Sequence, residues 1–173
     1  MKALIPLLAL LAGTAQAGDR IERGRYLVNT SGCADCHTPM KMGSSGPEPD
    51  MARHLSGHPQ PFVISAPVAP PEGPWVAVIA NSGTAYSGPW GLSFSANLTP
   101  DMETGLGRWS EADFVQTIRT GRHLGRGRPV LPPMPIPVYK NMTDDDLKAV
   151  FAYLQSLPPV RNKVPEPIAP AQR

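Results

Sequence analysis

Apolar residues in this chain gather into a leading run and three stretches of helical spacing, separated by long polar and proline-rich segments. In the last stretch, Leu147, Val150, Phe151 and Leu154 recur at three- and four-residue intervals and form one stripe of a helix. Thr143 stands at its N-cap position, Asp144, Asp145 and Asp146 oppose the positive end of the helix dipole, and Pro158-Pro159 stops it. A second helix is predicted after Trp109. Ser110 and Asp113 have capping-box spacing, Phe114, Val115 and Ile118 share a face, and Gly121 ends it. The first of the three is expected to open near Asp19, to bury Ile21, Tyr26, Leu27 and Val28, and to break at Ser31-Gly32.

No comparable pattern appears from Thr38 to about Gly107, where Pro47, Pro49, Pro59, Pro61, Pro67, Pro70, Pro71 and Pro74 interrupt the chain. Trp75 to Ala80 reads as a brief extended run, expected to pair with Leu92 to Asn97 as a small hairpin. So long a connection predicts an excursion that covers a site or docks a partner, with a mobile flap as the alternative. The fold class is mainly α with a long Pro/Gly-rich insertion.

The leading apolar run is a processing signal by its grammar. Lys2 supplies the charge, Leu4 to Leu11 the short apolar core, and Ala15-Gln16-Ala17 the small residues of a cleavage site. The expected organisation is a signal peptide at 1–17, a domain at 18–160 and a C-terminal tail at 161–173. An apolar core this short is not expected to insert in a membrane, an uncleaved anchor being the alternative. Charge is nearly balanced, 16 Lys+Arg against 14 Asp+Glu, which excludes a nucleic-acid binder by composition. Its placement is uneven. Arg119, Arg122, Arg126 and Arg128 crowd around His123, just after Asp101, Glu103, Glu111 and Asp113. This predicts a basic rim that steers an acidic partner, arginines that neutralise buried carboxylates, or a merely solvated charge run.

The chemistry lies in Cys33-Ala34-Asp35-Cys36-His37, which uses both cysteines of the protein and follows them at once with histidine. This is the spacing at which a peptide holds haem through two thioethers and ligates its iron from one side. Cys33 and Cys36 are the expected attachment points and His37 the proximal ligand, its second ring nitrogen donating to a backbone carbonyl. A thioredoxin-like dithiol would open a helix after a strand, whereas here a helical segment precedes the motif; a zinc site would need a fourth ligand. For the opposite face of the iron, Met134 in Leu131-Pro132-Pro133-Met134-Pro135 is the best candidate, a soft thioether presented from a stiff loop. Its rivals are Met102, Met142, Met40, Met42 and Met51, and among histidines His123, His54 and His58. Tyr26, Phe94, Trp109, Phe114, Phe151 and Tyr153 are candidate wall or packing residues. Trp75 and Trp90 would cover the haem edge or mark a partner surface. Asn97 and Thr99 could bond in the pocket or simply form a turn before Pro100.

With a helix, the haem motif, a methionine loop and a closing helix in that order, the chain resembles a class I c-type cytochrome. More narrowly, Asn97-Leu98-Thr99-Pro100-Asp101, Gly105-Leu106-Gly107-Arg108-Trp109-Ser110, Pro133-Met134-Pro135 and Leu154-Gln155-Ser156-Leu157-Pro158-Pro159-Val160 resemble the cytochrome c subunits of membrane-associated alcohol, aldehyde and sugar-acid dehydrogenases. The resemblance implies a single-haem class I cytochrome c fold, one covalently attached haem c, and His37 and Met134 as axial pair. It also implies redox partners, a dehydrogenase as donor and a membrane oxidase or quinone downstream. The expected function is periplasmic outer-sphere electron transfer, with no substrate chemistry of its own. The alternatives are a haem enzyme of peroxidase or small-ligand-reducing type, and a haem-based sensor.

Overall fold

The computed structural model describes residues 5–170, with side chains from residue 18 onward. Of the expected signal segment at 1–17, residues 1–4 lie outside the described residues and 5–17 are described by backbone alone. Helix α1, Ile5–Thr30, runs continuously where a start near Asp19 was expected. Its beginning is rich in alanine and leucine, and its one proline, Pro6, falls in the first turn, where proline is tolerated. No helix among the described residues is long and apolar enough to cross a membrane. Helix α2, Cys33–His37, is a single turn carrying the whole motif. The remaining helices are α3, Glu111–Thr120, α4, Ile136–Tyr139, and α5, Asp144–Ser156.

Both predicted caps form. Ser110 Oγ accepts from Asp113 N–H at 3.1 Å while Asp113 Oδ2 accepts from Ser110 N–H at 3.1 Å, and Thr143 Oγ1 accepts from Asp146 N–H at 3.1 Å. The stripes they align make one core: Leu27 and Val28 of α1, Phe114, Val115 and Ile118 of α3, and Leu147, Val150, Phe151 and Leu154 of α5, joined by Leu55 and Leu106. Phe114 and Phe151 meet at 5.5 Å between ring centres. Tyr26 was expected inside but is 58% exposed, with the Arg23 guanidinium over its ring at 5.7 Å. Around the rim, Arg23 bonds Asp146 at 2.9 Å and Arg20 pairs with Glu111, tying α1 to α5 and α3.

The insertion is an organised β structure added to this helical core. Strands β1, Met40–Gly43, and β2, Gly46–Pro49, form an antiparallel hairpin. Strands β3, Val78–Ile79, β4, Ala85–Gly88, and β5, Gly91–Phe94, form an antiparallel sheet in that order. The expected direct pairing of 75–80 with 92–97 does not form. β4 lies between them because Gly83, at φ 68°, turns the chain straight back after β3. On the outer edge of β5, Leu92 and Ile168 exchange both backbone hydrogen bonds, at 2.8 and 2.9 Å. The segment after Val160 thus extends the sheet. It also buries Asn162, whose amide donates to Ser56 O and His58 O and accepts from Gln60 N–H.

Candidate haem-attachment site

α2 leaves α1 through Gly32, whose φ of 73° lets the chain start a new turn at once. Cys33 and Cys36, three residues apart on that turn, project to one side. Both are free thiols, half-buried. Burial pushes the Cys33 thiol up to about 11, opposite to the depressed value that dithiol chemistry selects. Two tyrosines flank the pair. Tyr86 of β4 is buried, donates its hydroxyl to Gly83 O at 2.6 Å, and has its phenol pushed upward by burial and then by the adjacent Cys36. Tyr139 donates to Ser31 O at 2.5 Å, and burial with the nearby cysteines pushes its phenol up to about 12.

His37 is buried, and its Nδ1 donates to Ala96 O at 2.8 Å. A carbonyl can only accept, so Nδ1 carries the hydrogen and Nε2 keeps a bare lone pair. Burial lowers the imidazole's pKa and keeps the ring neutral. The carbonyl is held close by Gly57. At φ 77°, a Cβ there would stand 2.4 Å from Ser95 O and 2.5 Å from Ala96 O, while the Gly57 N–H donates to His37 O at 2.8 Å. One glycine therefore braces both the histidine backbone and the 95–96 segment that orients its ring.

Met134 is half-buried against the helical core. Its loop is fastened on both sides: Ser93 Oγ donates to Pro132 O at 2.6 Å, and Tyr139 reaches Ser31 beside the motif. Met102 is 58% exposed, and Met42 and Met51 are exposed as well. Met142 is half-buried, with its carbonyl taken by Arg119 at 2.7 Å. Among the histidines, His58 is enclosed by Thr84 and Phe62, His54 contacts Thr38, and exposed His123 stands edge-on to Trp109 at 5.1 Å. Asn97 and Thr99 make the turn, Asn97 Oδ1 accepting from Thr99 N–H at 3.0 Å, and they bond Val160 O from there. Of the clustered arginines, Arg119 pairs with Asp144 and Arg128 with Glu166, leaving Arg122 and Arg126 on backbone carbonyls.

The donor set fits a c-type haem: two thiols on one side of a turn, a neutral imidazole with a free Nε2, and a thioether on a fastened loop. Ala96, Gly57, Tyr86, Tyr139 and Ser93 complete it but escape sequence reasoning. Ala96 acts through a carbonyl that any residue has, and Tyr86 and Ser93 matter only through strand register. Gly57 carried the one local signal, a glycine beside a buried stretch marking close backbone approach.

The family model described as "Cytochrome c" matches residues 21–158. A subunit of nicotinate dehydrogenase from Pseudomonas putida is 34% identical over 147 residues, covering 84% of this chain and 9% of the relative. The cytochrome c subunit of alcohol dehydrogenase (quinone) of Gluconobacter oxydans is 30% identical over 173 residues, covering 96% and 29% respectively. The gluconate 2-dehydrogenase cytochrome c subunit of Pantoea cypripedii is 33% identical over 156 residues, covering 85% and 27%. This chain thus spans less than a third of the length of each of these relatives. The match across most of the chain, together with its single Cys-x-x-Cys-His turn and the imidazole oriented behind it, places it in the cytochrome c family.

Proposed function

We propose that this chain is a periplasmic one-electron carrier that takes electrons from a dehydrogenase and passes them toward the respiratory chain. Cys33 and Cys36 would hold a single haem c by thioethers, and His37 and Met134 would ligate its iron. The bound haem supplies a ferrous/ferric couple. The rest is done by the protein. Ala96 O fixes the His37 ring and tautomer, and the fastened 130–139 loop keeps the thioether in place, so little rearrangement accompanies a change of charge. Tyr86, Tyr139 and the β3–β4–β5 sheet restrict water at the attachment side, and His37 brings no charge into the site.

The observation that supports this reading is a buried imidazole, next to the Cys33–Cys36 turn, oriented by a backbone carbonyl, together with a methionine loop pinned at Pro132 and, through Tyr139, at Ser31 beside that turn. The names of the relatives point to a dehydrogenase as donor. The test is stopped-flow mixing of the oxidised holoprotein with a substrate-fed dehydrogenase of the alcohol or gluconate class, followed by addition of carbon monoxide. Substrate-dependent reduction with negligible carbon monoxide binding is expected. Rapid carbon monoxide binding would overturn the carrier reading in favour of an open haem site, and no reduction by such donors would overturn the dehydrogenase as its source of electrons.

A further inference from the structure

Directly opposed residues of an antiparallel pair project to the same face. The registers Ile79↔Tyr86 and Tyr86↔Ser93 therefore set these three side chains on one face of the β3–β4–β5 sheet. On that face Tyr86 borders Cys36, and Ser93 reaches the methionine loop. One small sheet touches both the attachment turn and the loop that carries Met134.

The loop needs an external anchor. Pro132, Pro133 and Pro135 have no N–H to donate, so the segment cannot fasten itself by an ordinary backbone ladder. Its own backbone bonds lie at the margins, Val130 N–H to Gly121 O at 2.8 Å and Ile136 N–H to Met134 O at 2.9 Å. The Ser93 hydroxyl supplies a fixed point between them, on Pro132 O at 2.6 Å. The hydroxyl is itself aimed: Trp90 Nε1 donates to Ser93 Oγ at 3.2 Å, and of the two carbonyls in reach of the serine hydrogen Pro132 O, at 2.6 Å, is far closer than Tyr86 O, at 3.3 Å. Ser93 is buried, and β5 is braced on its far edge by the paired Leu92 and Ile168.

We propose that Ser93 is a positioning residue for Met134, holding the methionine loop through Pro132 and so setting how readily the thioether yields its place on the iron. This rests on Met134 as the axial ligand. The insertion is then part of the redox site.

The test is titration of the ferric holoprotein with imidazole, a competitor for the methionine position, read by loss of the far-red sulfur-to-iron charge-transfer band. Loss of one neutral hydrogen bond is worth about a fivefold change, so Ser93→Ala should give way at about fivefold lower imidazole. Ser93→Thr, which keeps the hydroxyl, should stay near the parent protein. Trp90→Phe removes the aiming donor and leaves Ser93 in place; it should shift the same way by less, and it stands in if Ser93→Ala does not accumulate. A parent protein without the band, or a Met134→Ala variant that keeps it, would overturn both the ligand assignment and this proposal. If Met134→Ala loses the band while Ser93→Ala and Trp90→Phe titrate like the parent, the ligand stands and the positioning role is wrong.

Discussion

Gly24 of α1 lies so close to Ala149 of α5 that a Cβ at Gly24 would stand 1.9 Å from the Ala149 carbonyl oxygen and 2.7 Å from Tyr153 Cβ. Alanine normally stabilises a helix by up to about 1 kcal/mol over glycine. Here the obstacle is backbone, which cannot swing aside, and overpacking of this kind costs about 1–3 kcal/mol. The clash wins. Gly24→Ala should lower stability by about 1–2 kcal/mol in denaturant unfolding of the holoprotein, whereas a glycine such as Gly46, at φ 121° with nothing near its Cβ position, tests only backbone strain.

Asn162 closes the other end of the molecule. Its side chain bonds Ser56 O at 2.7 Å, His58 O at 2.9 Å and Gln60 N–H at 2.9 Å, with the residue 7% exposed. Asn162→Ala would strand those backbone groups, at about 1–3 kcal/mol for each one that water cannot reach. A total loss of about 2–4 kcal/mol is expected in chemical unfolding. Hydrogen exchange should quicken around residues 56–60 before it does in α5.

The helical part of the fold was legible because its signals are local. The Ser110–Asp113 and Thr143–Asp146 caps act across three residues, and the apolar stripe of α5 needs only helical spacing to be seen. The attachment turn is legible for the same reason, since Cys33, Cys36 and His37 sit within five residues. The sheet was not. Whether 78–79 pairs with 85–88 or with 91–94 depends on where Gly83 turns the chain, and alternation in strands this short is too weak to decide. Tyr26 and Tyr86 show the limit plainly. Tyr26 has the better helical neighbours yet faces solvent, while Tyr86, in a polar-looking stretch, faces Cys36.

His58 links stability to pH. Nε2 donates to Phe62 O at 2.8 Å, Nδ1 bonds the Thr84 hydroxyl at 3.0 Å, and burial favours the neutral ring. Burial holds its pKa below the ordinary histidine value. In the unfolded chain the ring takes up a proton near pH 6.5. The unfolded state then binds more protons than the folded one, and stability falls as pH drops below that point. Thermal unfolding between about pH 7.5 and 5 should show this decline, and His58→Gln should have a shallower slope. An equal slope would assign the effect to His54 and His123, whose pKa values burial also lowers.

Arg122 and Arg126 are the members of the basic cluster without a carboxylate partner among the described residues, and both are exposed. If they steer an acidic donor, reduction by that donor should slow by about tenfold from low to physiological salt, the lower end of steering effects. Arg122→Glu combined with Arg126→Glu should remove most of that dependence, whereas reversing Arg119 would instead break its tie to Asp144 and cost stability.

The most direct test of a haem iron closed from both sides is X-ray absorption at the iron edge of the oxidised holoprotein. One sulfur scatterer is predicted alongside the porphyrin and His37 nitrogens, lost in Met134→Ala and retained in Met142→Ala. A first shell of nitrogen alone, or a sulfur that survives replacement of Met134, would contradict it.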